Sequence, residues 1–180
     1  MKEVFVGGSR SISRLGAPIR ERIDNILSKG LHVIVGDANG ADKAFQAYLA
    51  ERGYGNVTVF CSGSVCRNNL GNWKTTHVAS ESDKLDFHHY AKKDAQMASE
   101  ADYGFFLWNG ESRGTLNSIS MLVKRQRPAL VYLAPKRRFV TLRRETDLAA
   151  ILGEGDPLGT VSTRTRTRQR PGPKQPSLIG

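Results

Sequence analysis

The chain passes from an apolar strand into a helix through Val33-Ile34-Val35-Gly36-Asp37-Ala38-Asn39-Gly40-Ala41-Asp42. The continuous apolar run before Gly36 is typical of a strand that is covered on both faces. The small residues that follow allow the next helix to begin close to the sheet. A helix N-terminus attracts anions through its dipole and its unpaired N–H groups. The segment therefore predicts a strand, a glycine turn and a helix that together can approach a phosphate.

Two further turns follow the same scheme. Lys2–Val6 is followed by Gly7-Gly8-Ser9-Arg10, and Tyr103–Trp108 is followed by Asn109-Gly110-Glu111-Ser112-Arg113-Gly114-Thr115. Glycines leave room for a ligand, and an arginine offers a planar fork of donors for phosphate. Neither the G-x-G-x-x-G fingerprint nor a Walker loop occurs in these turns. The three turns predict a phosphorylated ligand, most simply a nucleotide.

Strands and helices alternate along residues 1–152, which predicts a Rossmann-like three-layer αβα sandwich with a mainly parallel sheet. Five main strands are predicted, at 2–6, 31–35, 57–60, 103–108 and 129–133. Residues 139–142 are a candidate edge strand, and the polar stretch 61–85 is interpreted as a long loop. Glycine, proline, threonine and arginine dominate 153–180, which is predicted to be a disordered basic tail.

The net charge of +10 is concentrated in two places. The tail carries Arg164, Arg166, Arg168, Arg170 and Lys174 and no acid after residue 156, and a second cluster comprises Lys136, Arg137, Arg138, Arg143 and Arg144. Basic segments bind nucleic acid through counterion release, although solvated basic tails are also common. Nucleic acid is therefore a candidate partner through the tail.

Several classes of protein are not expected. No apolar run approaches the roughly 20 residues of a membrane span, and Met1-Lys2-Glu3 leads directly into a strand rather than a signal peptide. We expect a cytoplasmic protein with no membrane partner. Cys61 and Cys66 are expected to be reduced thiols, and with His77 they show no recognised zinc spacing, so no metal site is predicted.

The order and spacing of the turns resemble the SLOG superfamily. The resemblance rests on Gly8-Ser9-Arg10 and on 36–42, and it spans about residues 4–133. The superfamily includes the Rossmann-like domain of DNA processing protein A (Smf), the Lonely Guy phosphoribohydrolases and YspA-type proteins. It implies binding of a nucleotide or nucleotide-sugar ligand without a separate cofactor, by a sensor or a processing enzyme in nucleotide metabolism or defence. By analogy it also implies a homodimer or higher oligomer.

The third turn distinguishes the branches of this superfamily. Lonely Guy enzymes carry glutamates after a Gly-Thr pair, whereas here Gly114-Thr115 is followed by Leu116-Asn117-Ser118. A neutral asparagine serves neither as nucleophile nor as general base. An N-glycosidase, phosphoribohydrolase or deoxyribosyltransferase-like hydrolase of nucleoside phosphates would need another carboxylate, and the catalytic candidates are Glu111, Asp94 and Asp42. The remaining alternative is a single-stranded DNA-binding protein related to DNA processing protein A.

The predicted ligand-binding residues come from the three turns. Several have a structural alternative: Asp37 as a helix cap, Trp108 as core rather than a base-stacking ring, and Asn117 as a helix-surface amide. The Lys93-Asp94 pair has the alternative of a solvated helix face. The predicted set is Gly7, Gly8, Ser9, Arg10, Gly36, Asp37, Trp108, Gly110, Ser112, Gly114, Thr115 and Asn117.

Overall fold

The computed structural model describes residues 2–79 and 87–153. Its strands are β1 (Glu3–Gly8), β2 (His32–Gly36), β3 (Val57–Ser62), β4 (Lys74–Val78), β5 (Tyr103–Trp108), β6 (Ala129–Leu133) and β7 (Arg138–Leu142). Its helices are α1 (Ala17–Ser28), α2 (Ala41–Glu51), α3 (Phe87–Glu100), α4 (Arg113–Lys124) and α5 (Glu145–Gly153), with a 3-10 turn at Ala134–Lys136.

The strands form one sheet in the order β4-β3-β2-β1-β5-β6-β7. All neighbours are parallel except β6 and β7, which pair antiparallel. The chain builds outward from β1 to β4 and then resumes at β5 on the other side of β1. The change of direction lies between β1 and β5, and open α/β sheets bind ligands at the carboxyl ends of the strands at such a point.

Alternate residues of each strand face two separate cores. Val4, Val33 and Val59 pack with α1 and α2, whereas Phe5 and Ile34 pack with α3, α4 and α5. Both faces of the central strands are buried, which is why their sequences are continuously apolar. The described part of the chain has the predicted three-layer α/β architecture.

The predicted number of strands is corrected from five to seven. The candidate edge strand 139–142 is present as β7, and β4 lies within the stretch that was predicted to be a loop. An edge strand has a single neighbour and is partly solvated, so β4 lacks an apolar run. Its β-branched Thr75, Thr76 and Val78 are the sequence signal that favours a strand there.

The prediction of two reduced thiols is wrong. Cys61 and Cys66 form a disulfide with Cα atoms 5.0 Å apart. The chain turns back after β3, with Gly63 at a φ of +77°, and this turn brings Cys66 beside the end of the strand. The predicted tail lies outside the described residues from 154 onward. Among the described residues, no helix combines the length and apolarity of a membrane span.

Candidate functional site

A pocket of about 520 Å³ lies at the carboxyl ends of β1 and β5, where the order of the strands reverses. This volume is within the usual range for small-molecule sites, and the position is the one expected for a doubly wound sheet. Phe5 and Phe106, with ring centroids 4.9 Å apart, form its apolar wall. The rest of the lining is mostly polar. It comes from the end of β1, from the segments that follow β1, β2, β3 and β5, and from α2, α3 and α4.

The first two turns contact each other closely. Gly40 has a φ of +81°, and a Cβ atom at this position would overlap the backbone of Arg10. The N–H of Ala41 donates to the carbonyl of Ser9 at 3.3 Å. Glycine is therefore required at position 40 for both its backbone conformation and its lack of a side chain. This contact fixes the backbone from which the Arg10 side chain reaches the pocket.

The hydroxyl of Ser9 joins the first and third turns. Ser9 is buried, and its Oγ donates to Asn109 Oδ1 at 3.0 Å while accepting from the Asn109 N–H at 3.1 Å. It also lies 3.4 Å from Thr115 Oγ1. The Thr115 hydroxyl in turn donates to Ser112 Oγ, and Ser112 caps α4. These hydrogen bonds hold the N-terminus of α4 against the end of β1.

A buried lysine of the pocket lining lies among three aspartates. Lys93 is 3% exposed, with its Nζ 3.6 Å from Asp94 Oδ1 and 3.8 Å from Asp37 Oδ1. A Cβ atom on Gly36 would overlap both Lys93 Nζ and the carboxylate of Asp42. Gly36 therefore leaves the space that these two charged groups fill. Burial of the ammonium is compensated by these acidic neighbours.

Asp37 anchors the loop that follows β3. Both of its carboxylate oxygens accept from the Arg67 guanidinium, at 2.7 and 3.1 Å, and Oδ2 also accepts from the Arg67 N–H at 3.1 Å. Burial opposes ionisation of Asp37, but the Arg67 hydrogen bonds and the charge of Lys93 outweigh it and lower its pKa. Asp37 is thus a carboxylate that positions Arg67 at the pocket.

Two carboxyl groups in the pocket have raised pKa values. Burial raises the pKa of Asp42 to about 6, although Lys93 favours its ionised form. Burial also raises the pKa of Asp94, against the opposing effects of Lys93, Arg10 and a hydrogen bond from Ser118 Oγ at 3.2 Å. Titratable groups with shifted pKa values occur often in functional sites, because burial and nearby charges there adjust the pKa of the reacting or binding group.

Comparison with solved structures identifies the fold. DNA processing protein A from Streptococcus pneumoniae superposes with a TM-score of 0.59 at 18% identity, over 72% of this chain and 50% of that protein. DNA processing protein A from Helicobacter pylori superposes with a TM-score of 0.54 at 14% identity, over 86% of this chain and 74% of that protein. The chain has the fold of DNA processing protein A. It spans about half the length of the pneumococcal protein. No family model and no curated protein matches it.

Within the DNA-processing-protein-A fold, most of the predicted site residues meet at one place. Ser9, Gly36 and Asp37 lie beneath or beside the pocket and hold its parts together through the contacts described above. The predicted residues that line the pocket itself are Gly7, Gly8, Arg10, Asp42, Asp94, Ser112, Gly114, Thr115 and Asn117.

Besides Ser9, Gly36 and Asp37, three more predicted residues do not line the pocket. Trp108 is 4% exposed in the core beside α4, and its Nε1 donates to the carbonyl of Ser112 at 3.2 Å, which matches the packing alternative. Glu111 is exposed. Gly110 has a φ of +87° and shapes the turn between β5 and α4. Of the three carboxylates predicted as catalytic candidates, the pocket contains Asp42 and Asp94.

Sequence reasoning gave no role in the site to several lining residues. Lys93 precedes the buried Met97 by one helical turn, so it lies on the inward stripe of α3. A charged residue on such a stripe is the signal that could have identified it. Arg67 gave no signal, because its role depends on a contact with Asp37 thirty residues earlier. The other lining residues of this kind are Phe5, Ser11, Ala38, Ala91, Phe106, Asn109 and Ser118.

The predicted basic cluster is split between the two ends of the strands. Arg138 pairs with Leu133 at the carboxyl end of β6, whereas Leu142 pairs with Ala129 at its amino end. The basic turn, defined as 136–138, therefore lies at the carboxyl ends of the parallel strands, as the pocket does. Arg143 and Arg144 lie at the opposite ends of these strands. All five side chains are exposed. Only the basic turn is placed to extend a ligand site that begins in the pocket.

Proposed function

We propose that the chain binds a nucleotide in the pocket at the ends of β1 and β5. The observation that carries the proposal is the shared location of an arginine, two glycine turns and a helix N-terminus at the reversal of the strand order. Gly7 and Gly8 line the pocket without side chains, and a Cβ atom on Gly114 would meet only open space. A phosphate placed there would lie near the N-terminus of α4 and the Arg10 guanidinium.

The deeper part of the pocket suits a sugar. Asp42 and Asp94 offer carboxylate oxygens, and Asn117 and Ser118 offer an amide and a hydroxyl. Carboxylates and amides of this kind recognise ribose hydroxyls, because a carboxylate accepts hydrogen bonds from hydroxyls and an amide both donates and accepts them. The rings of Phe5 and Phe106 add apolar surface for the base or the sugar. A nucleoside monophosphate would place its phosphate beside Arg10 and its sugar beside the acids and amide.

Calorimetric titration with nucleoside 5′-monophosphates and the matching nucleosides tests this proposal. We expect a monophosphate to bind at least about 10-fold more tightly than its nucleoside, since a charge-assisted hydrogen bond contributes roughly 1.5–3 kcal/mol. Arg10→Ala should remove that preference. Arg14→Ala, at an exposed position outside the lining, is the matched control. Absence of binding by every monophosphate, or equal binding of nucleosides, would contradict the proposal.

Hydrolysis of an N-glycosidic bond is a second candidate, supported by the two carboxyl groups with raised pKa values in one pocket. A carboxylate at Asp94 would stabilise positive charge on the anomeric carbon, and a protonated Asp42 would give its proton to the departing base. Water would then add to the anomeric carbon and return a proton to Asp42. Chromatographic detection of free base from bound monophosphates tests this activity. Loss of release in Asp94→Asn would support it. Binding without release in the native chain would reject hydrolysis and leave nucleotide binding intact.

Binding of single-stranded DNA is a third candidate, supported by the basic turn at the same sheet edge as the pocket. The Helicobacter pylori structure is described as showing a single-stranded DNA binding mode. We expect the affinity for a short oligothymidylate to fall steeply with salt, because phosphate contacts release counterions. Replacing Arg137 and Arg138 by alanine should weaken binding more than replacing Arg143 and Arg144. Equal effects of the two sets of substitutions would contradict this candidate.

A further inference from the structure

Two cysteines and a histidine lie together at the carboxyl ends of β3 and β4, and none of them lines the pocket. Cys61 and His77 are directly opposite each other in the parallel register of β3 and β4, so their side chains share one face of the sheet. Cys66 returns to the same place through the turn after β3. One candidate ligand atom from each residue lies within 4.8 Å of the others.

The hydrogen bond of His77 leaves one ring nitrogen as a possible metal ligand. The Nδ1 atom of His77 lies 2.8 Å from the carbonyl oxygen of Gly63, and a carbonyl only accepts, so Nδ1 carries the proton. In the neutral ring this leaves the lone pair on Nε2. Histidines that ligate metals commonly donate their other N–H to a backbone carbonyl, which fixes both tautomer and ring orientation.

We propose that Cys61, Cys66 and His77 form a site for Zn²⁺ or a similar thiolate-binding cation, and that the Cys61–Cys66 disulfide closes it. Two thiolates and an imidazole are ligands that Zn²⁺ prefers, and a tetrahedral site with Zn–S bonds of about 2.3 Å separates its sulfur atoms by about 3.8 Å. The three ligand atoms lie within 4.8 Å of one another, which is close to such distances. Cys61 is buried, while His77 is exposed, so the cation reaches the site from the His77 side.

The exchange between the two states is balanced in atoms and electrons. Two equivalents of a low-molecular-weight thiol reduce the disulfide by two electrons, which yields the Cys61 and Cys66 thiols and the disulfide of the small thiol. A divalent cation then displaces the two thiol protons to solvent as it binds the thiolates. Three protein ligands leave one coordination position for water. Oxidation by the disulfide form of the small thiol reverses the sequence and releases the cation.

Titration of the full chain with Co²⁺ tests this proposal. After reduction with a phosphine, we expect one equivalent of Co²⁺ to bind with a near-ultraviolet thiolate-to-cobalt charge-transfer band, and Zn²⁺ to displace it. The disulfide form should give no such band. His77→Gln should weaken binding at least 10-fold, and Cys66→Ser should abolish the band. The control is His32→Gln, because His32 lies at the amino end of β2 and bonds to Glu3 and Thr58 instead.

Three results would overturn the metal site. These are a reduced chain without the charge-transfer band, equal binding by the reduced and disulfide forms, and unchanged binding in His77→Gln. Because His77 is exposed, loss of binding in that variant is not readily explained by unfolding, and its thermal melting curve checks this directly. The proposal is independent of nucleotide binding, since none of these variants alters a residue that lines the pocket.

Discussion

Replacing Asp42 by asparagine should stabilise the chain in a pH-dependent way. Asp42 is a buried residue of the pocket lining, and its pKa rises from the ordinary 3.8 to about 6. In the unfolded chain this carboxyl ionises near pH 4, whereas in the folded chain it keeps its proton until about pH 6. Between these values the folded state holds a proton that the unfolded state has lost. The native chain therefore loses stability as the pH rises through this window, and asparagine removes the titration.

The magnitude follows from the two pKa values. A pKa difference of one corresponds to about 1.4 kcal/mol, so full ionisation of Asp42 costs about 3 kcal/mol of folding free energy. Proton linkage between the unfolded pKa of 3.8 and the folded pKa of about 6 gives the expected gain in the free energy of unfolding. For Asp42→Asn this gain is about 1 kcal/mol at pH 4.5 and about 3 kcal/mol at pH 7.5. The asparagine amide preserves the size of the side chain and its ability to accept from the Ala38 N–H.

Urea denaturation at a series of pH values between 4.5 and 7.5 measures this gain. The control is Glu111→Gln, because Glu111 is exposed and outside the pocket lining. Its free energy of unfolding should differ from that of the native chain by less than about 0.5 kcal/mol. A gain in Asp42→Asn that is constant with pH would refute the argument from burial. A loss of stability that grows with pH would mean that pairing with Lys93 outweighs burial.

Three further substitutions probe the contacts that hold the site together. Gly36→Ala should lower the free energy of unfolding by about 1–3 kcal/mol, because its Cβ overlaps buried charged groups. The control is Gly55→Ala, which has open space around it and should change stability by less than about 1 kcal/mol. Urea denaturation measures both variants. Ser9→Ala should cost about 1–3 kcal/mol by the same assay, and Ser62→Ala, whose Oγ is buried without a hydrogen-bond partner among the described residues, should cost nothing. Arg67→Lys should weaken monophosphate binding in calorimetry, since an ammonium cannot reproduce the bidentate contact with the buried Asp37 carboxylate. Unchanged affinity would show that Arg67 does not contribute to binding.

The fold could be predicted from the sequence wherever a strand is buried on both faces. β1, β2, β3, β5 and β6 are apolar runs followed by turn residues, so their periodicity and spacing fixed the class of the fold. β4 has one neighbouring strand and a mostly polar sequence, and it was predicted to be a loop. The pairing of Cys61 with Cys66 was also missed, because it depends on how the chain turns after β3.

The site could be predicted only in part. Glycine turns at the ends of parallel strands meet at one edge of a sheet, and this reasoning places Arg10 and Thr115 near each other without knowledge of their contacts. Burial of Lys93 was not predicted, because a charged residue on a helix is normally assigned to solvent, although its position one turn before the buried Met97 is a signal for it. The contact of Asp37 with Arg67 joins residues from two separate loops, so no local pattern contains it.

The most direct test of nucleotide binding is an NMR titration of the isotopically labelled chain with a nucleoside 5′-monophosphate. We expect the largest changes in backbone amide shifts at Gly7, Gly8 and Arg10 and at the start of α4 around Gly114, since these residues line the phosphate end of the pocket. Amides around β4 should remain unchanged. Changes confined to other surfaces, or none at millimolar ligand, would contradict it.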